Sequence, residues 1–114
     1  CGSILNNTLR SPRYPMEYPN NLDCVHEVPI PRGMALKITF KDFLLEDPFW
    51  IGYCYGEVYE DYVKIADENY VQIGLFCGKS IGKTVFVGGR RARITFHTNQ
   101  AEGRRGFLLL FTFV

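Results

Sequence analysis

The feature that most constrains this chain is a two-residue hydrophobic period that recurs along it and never gives way to a helical one. In residues 34–40, Met34, Leu36, Ile38 and Phe40 alternate with Ala35, Lys37 and Thr39. Residues 91–97 set Ala92, Ile94 and Phe96 against Arg91, Arg93, Thr95 and His97, and residues 107–114 put Phe107, Leu109, Phe111 and Phe113 on one face. Such a period places alternate side chains on opposite faces of a half-buried strand. Residues 24–29, 61–65 and 70–76 read the same way. Turn signals at Pro31-Arg32-Gly33 and Gly88-Gly89 separate them. Short strands broken by turns at this spacing predict an all-β fold, an antiparallel sandwich. Prolines 12, 15 and 19 exclude a helix from residues 7–21 and make that stretch stiff ordered loop or edge structure.

The 114 residues are enough for one domain, taken as 1–114, and a hydrophobic content of 46% can bury a real core. A net charge of +1 sets up no global field to recruit nucleic acid or an anionic membrane. No apolar run approaches the roughly 20 residues of a membrane span, and no membrane insertion is expected. The N-terminus is unlike a signal peptide, so a secreted form is expected to be a mature or excised piece.

Cysteines stand at Cys1, Cys24, Cys54 and Cys77, an even count with no CxxC pair. That pattern favours disulfides over a zinc or redox site. Three pairings are open; a sequential one would close two loops, each worth about 3 kcal/mol in the chain-entropy model. Asn6-Asn7-Thr8 is a glycosylation sequon at Asn6.

Catalytic motifs are lacking. None of Ser3, Ser11 and Ser80 lies in G-x-S-x-G. Gly78-Lys79-Ser80 would need a glycine at position 73 to be a P-loop, and that residue is Ile73. Glu46 and Asp61 end two strand-like runs, where a carboxylate is exposed on a rigid base, but a glycosidase pair would also need a deep groove. Arg90, Arg91, Arg93, Arg104 and Arg105 suggest a polyanion contact such as a glycosaminoglycan site. Residues 91–97 and 107–114 read as one hairpin, which would part these arginines into two clusters some ~20 Å apart.

Taken together, the motifs resemble the CUB domain, the extracellular module of complement proteases, tolloid-type proteases, neuropilins and spermadhesins. Cys1-Gly2, Ser11-Pro12-Arg13-Tyr14-Pro15 with Tyr18-Pro19-Asn20, and Cys24 carry the opening of the match. Phe43-Leu44-Leu45-Glu46, Cys54, Asp61-Tyr62-Val63-Lys64-Ile65 and Phe76-Cys77-Gly78 carry its centre, and Ile94-Thr95-Phe96 and Gly106-Phe107 its end. The resemblance implies a jelly-roll sandwich of about ten strands, Cys1–Cys24 and Cys54–Cys77 disulfides, no catalytic activity and an extracellular location. It also implies a calcium site at Glu46, Asp61 and Asn99, with Tyr18 bracing Glu46. The ion would order the loops 46–61 and 98–105, and a loop-end carboxylate would receive a Lys or Arg of a protein partner.

Four departures qualify the match. His26 stands at an aromatic position, Lys79-Ser80 replaces a proline pair, and the span from Cys54 to Asp61 is long, leaving Glu60 or Asp61 open as the ligand. Asn99 stands where the family has an acid. Because affinity follows carboxylate count, calcium is expected at the weak extracellular end, around ~10⁻⁴–10⁻³ M. The alternatives are a calcium-independent module for glycans or sulfated polyanions, or a structural spacer in a larger secreted or cell-surface protein.

Overall fold

The structure is a computed structural model that describes residues 1–48, 53–101 and 103–114. Its elements are eight strands: β1 (Thr8–Arg10), β2 (Asp23–Pro29), β3 (Leu36–Leu44), β4 (Tyr62–Ala66), β5 (Gln72–Phe76), β6 (Thr84–Val87), β7 (Arg91–His97) and β8 (Gly106–Phe113). They form two four-stranded antiparallel sheets, ordered β1-β8-β3-β6 and β2-β7-β4-β5. The resemblance implied about ten strands; eight lie among the described residues.

Alternation explains the core. Leu36, Ile38 and Phe40 of β3, Phe107, Leu109 and Phe111 of β8, Val63 and Ile65 of β4, and Ile94 and Phe96 of β7 are all buried between the sheets. In β3 the register slips between Phe40 and Asp42, where Lys41 is the extra residue of a bulge. The slip moves the inward phase by one, so Phe43 and Leu45 face the core and Glu46 emerges at the sheet's end. Without it the same alternation would turn Leu45 outward.

Residues 91–97 and 107–114 do not form the expected hairpin. β7 pairs with β2 and β4, whereas β8 pairs with β1 and β3 in the other sheet. The reason is packing. Both strands carry a fully apolar face, and these faces meet across the core, with the Phe96 and Phe107 rings edge to face at 4.9 Å. A hairpin would have placed both on the same side of one sheet.

Cys1 is bonded to Cys24 and Cys54 to Cys77, each across a sequence separation of 23. The Pro-rich stretch is tied to its neighbours by hydrogen bonds. Its Tyr14 hydroxyl donates to Asp42 at 2.7 Å, and the Tyr18 amide donates to the Arg104 carbonyl at 3.0 Å. Asn6 lies exposed in the tight turn that precedes β1, where the Thr8 hydroxyl donates to the Leu5 carbonyl at 2.7 Å.

Candidate functional site

Three loop beginnings converge at one end of the sandwich: the exit from β3 at Glu46, the approach to β4 at Glu60 and Asp61, and the exit from β7 at Thr98 and Asn99. Residues 49–52 and residue 102, within the loops expected to form this edge, lie outside the described residues.

Asp61 is 2% exposed, so its charge must be met by protein donors. Its Oδ2 accepts the Tyr18 hydroxyl at 2.6 Å, and its Oδ1 accepts the Asn99 backbone N–H at 2.7 Å. Tyr18 is itself buried, edge to face with Phe96 at 5.2 Å. Its oxygen also accepts the Glu46 backbone N–H at 3.0 Å, so it braces the backbone of Glu46 and the carboxylate of Asp61 together. Burial, and then the hydrogen bond to Asp61, push the Tyr18 hydroxyl far above the usual phenol range. A β-carbon at position 103 would come within 2.7 Å of the Tyr18 carbonyl oxygen and 2.8 Å of its ring, so only glycine fits beside this tyrosine.

Glu60 turns away from this point. It is 3% exposed, and its Oε1 accepts the backbone N–H groups of Tyr55 at 2.9 Å, Gly56 at 2.8 Å and Glu57 at 3.4 Å. Among the described residues its Oε2 has no partner. Glu60 thus folds the long segment after Cys54 onto itself, and Asp61 is the acid bonded to Tyr18 and to the Asn99 backbone.

The carboxamide of Asn99 sits at the centre. Its Nδ2 donates to Glu46 Oε1 at 2.8 Å and to the Tyr59 carbonyl at 2.7 Å, while its Oδ1 accepts the Ala101 N–H at 2.8 Å. Next to it, His97 lies between two acceptors: Nδ1 is 2.6 Å from Asp23 Oδ1, and Nε2 is 3.0 Å from the Val58 carbonyl. Two acceptors need two ring donors, which is the imidazolium form. Burial opposes that charge, but the Val58 carbonyl and the Asp23 carboxylate outweigh it and raise the His97 pKa. The segment after Cys54 is therefore docked through the carbonyls of Val58 and Tyr59. Beside it opens a groove of about 510 Å³ lined by Asp23, Val58, Tyr59, His97, Asn99 and Ala101. Sequence reasoning left His97 and Asp23 out of this edge; the signal was positional, since Asp23 and His97 face each other in the β2–β7 register.

The arginines do not gather. Arg91 and Arg93 both pair with Glu27, and the Arg93 guanidinium also lies over the Tyr70 ring at 4.2 Å. Arg105 makes a two-pronged contact with Asp42, Nε to Oδ2 and Nη2 to Oδ1, both at 2.7 Å. Arg90 and Arg91 adjoin the start of β7, and Arg104 and Arg105 lie in the loop beyond its other end. The hairpin from which two clusters were inferred is absent, and the arginines are instead set by the connection from β7 in one sheet to β8 in the other.

The model of the family described as "CUB domain" matches residues 2–111. The chain is a CUB domain. It is 32% identical over 117 residues to the tolloid dorsal-ventral patterning protein of Drosophila melanogaster, which covers 97% of this chain and 11% of that protein. It is 28% identical over 103 residues to human cubilin, covering 88% of this chain and 3% of cubilin. A solved structure of the MASP-1 CUB2 domain bound to Ca²⁺ superposes with a TM-score of 0.77 at 27% identity, covering 91% of this chain and 88% of that one. The chain thus spans a small fraction of the curated relatives it matches. CUB domains are extracellular protein-interaction modules and are not catalytic, even where the parent chain is a protease.

That MASP-1 domain holds calcium; the residues here do not fit such an ion as they stand. Calcium takes oxygen ligands, and the group that Asn99 turns toward Glu46 and Tyr59 is a nitrogen bearing hydrogens. Among the described residues, no group of three or more His, Cys, Asp or Glu side chains could hold a metal.

Proposed function

We propose that this CUB domain binds an extracellular protein by receiving a lysine or arginine of that partner at the Glu46 carboxylate. One observation carries the reading. Glu46 is half-buried, tethered through its backbone N–H and its Oε1, and its Oε2 has no partner among the described residues. A carboxylate held in place and left with acceptor capacity suits a charge-assisted hydrogen bond. Tyr55, Val58 and Tyr59, exposed on the neighbouring segment, offer apolar surface for the aliphatic stem of a basic side chain and for its surroundings. The expected weak calcium dependence is replaced in this reading by an edge that assembles without an ion, because Asn99 brings a donor where a ligand was expected.

The test is a displayed peptide library in which each member carries one Lys or Arg, with a matched library carrying Gln instead. Binders to the wild-type domain are expected to come from the basic library, with affinity falling tenfold or more in Glu46→Gln, about 1.4 kcal/mol. Equal binding by Glu46→Gln would overturn the proposal.

A further inference from the structure

We infer that the Asn99 carboxamide does in this domain what a cation does in a metal-dependent one: its two N–H groups bridge Glu46 to the Tyr59 carbonyl, so that the edge is locked permanently and independently of calcium. The inference concerns the edge described above and rests on that reading for its functional meaning, though not for its geometry.

Three of the side chain's four hydrogen-bonding capacities are spent in one orientation. Both Nδ2 hydrogens go to oxygens, at 2.8 Å to Glu46 Oε1 and 2.7 Å to the Tyr59 carbonyl, and Oδ1 takes the Ala101 N–H at 2.8 Å. Turning the carboxamide over would set Nδ2 hydrogens against the Ala101 N–H, donor against donor. It would also bring Oδ1 against the Glu46 and Tyr59 oxygens, a cluster of acceptors that only an added cation could hold together. Calcium would therefore have to break three hydrogen bonds before gaining one neutral oxygen. The backbone of the same residue is fixed separately, through its N–H to Asp61 Oδ1. The lock thus ties two chain segments, the exit of β3 at Glu46 and residues 59–61 before β4, to the exit of β7 through one residue.

Replacing nitrogen by oxygen at this point reverses the logic. In Asn99→Asp, a second carboxylate faces Glu46 and the Tyr59 carbonyl, two hydrogen bonds are lost, and like charges approach across a short gap. Two neighbouring carboxylates, the Tyr59 carbonyl and Asp61 would then offer calcium the oxygens that the wild type withholds.

Melting curves of the whole chain in millimolar calcium and in chelator test this directly. The wild type is expected to melt at one temperature in both. Asn99→Asp is expected to melt lower than wild type in chelator and to recover with calcium, while Asn99→Ala is lowered alike in both. A calcium-dependent rise in the wild type, or an Asn99→Asp protein that ignores calcium, would overturn the inference. A second measurement stands even if the variants fail to fold: the Asn99 side-chain NH₂ protons, followed by NMR in the wild type, are expected to exchange slowly with solvent and not to shift with calcium. Exchange as fast as in a free asparagine would also overturn it. None of these measurements involves a partner, so a failed lock and a failed capture of basic side chains at Glu46 give different results.

Discussion

Asp61 and Glu46 are two carboxylates at one edge of one sandwich, and they stand in opposite surroundings. Asp61 is buried, with one oxygen held by a buried phenol and the other by a backbone N–H. Glu46 is half-buried and gives one oxygen to Asn99, and its other oxygen has no partner among the described residues. Both end strand-like runs in the sequence. The difference lies in what the fold places over them: Tyr18, from the Pro-rich loop, covers Asp61 and touches only the backbone of Glu46. The same chemical group becomes a structural pin when its acceptor sites are filled in a dry place, and a contact point when one is left at the surface.

Several substitutions break or sharpen this contrast. Asp61→Ala has the largest expected effect. It strands the Tyr18 hydroxyl and the Asn99 N–H without acceptors, and should cost about 3–5 kcal/mol in urea unfolding. Tyr18→Phe leaves Asp61 with one donor fewer and should cost about 1–3 kcal/mol. Glu46→Gln keeps the shape and an acceptor oxygen, and its unfolding free energy should stay within about 0.5 kcal/mol of wild type. A Glu46→Gln loss as large as that of Asp61→Ala would erase the distinction between pin and contact point.

Asp42 offers a third comparison, a carboxylate spent on holding loops. Arg105 first, and Tyr14 after it, hold its pKa at about 2, below the ordinary 3.8, and the side chain is 15% exposed. A depressed carboxylate contributes stability above its unfolded pKa and loses it as the pH falls through its folded one. The contribution of Asp42 should therefore be whole above about pH 4 and vanish as the pH falls through about 2. Asp42→Asn should flatten the acid limb of the stability curve in that window, read by denaturation at a series of pH values. The smallest effect is expected from polyanions. With Arg91 and Arg93 on Glu27 and Arg105 on Asp42, the domain should leave a heparin column near ~0.15 M salt.

Much of the fold was legible in the residues. β7 begins and ends where its alternation does, and β2, β3, β4 and β8 lie within a few residues of theirs. β1 has three residues and β6 has four, too few for a period to declare itself. The β7–β8 error has a physical source as well. Alternation says which residues share a face, but two strands whose apolar faces meet across a core read identically to two that share one sheet. The site divides in the same way. Asn99 is hydrogen-bonded to both Glu46 and Asp61, but adjacent acids at 60 and 61 cannot be told apart until the backbone turns one toward Asn99 and the other back on its own loop. Nor does the letter for asparagine say whether its oxygen or its nitrogen will face a neighbour; the Ala101 N–H decides that.

The crossing of the chain from β7 to β8 has a mechanical side. β7 lies between β2 and β4, and β8 between β1 and β3, so each is an inner strand laddered on both flanks. The stretch 98–105 that joins them carries Asn99 at one end and Arg105 at the other, tied to Glu46 and Asp42 respectively. A pull applied to that stretch would be divided between two sheets. It meets inner strands anchored on both sides, where an outer strand could peel away one hydrogen bond at a time.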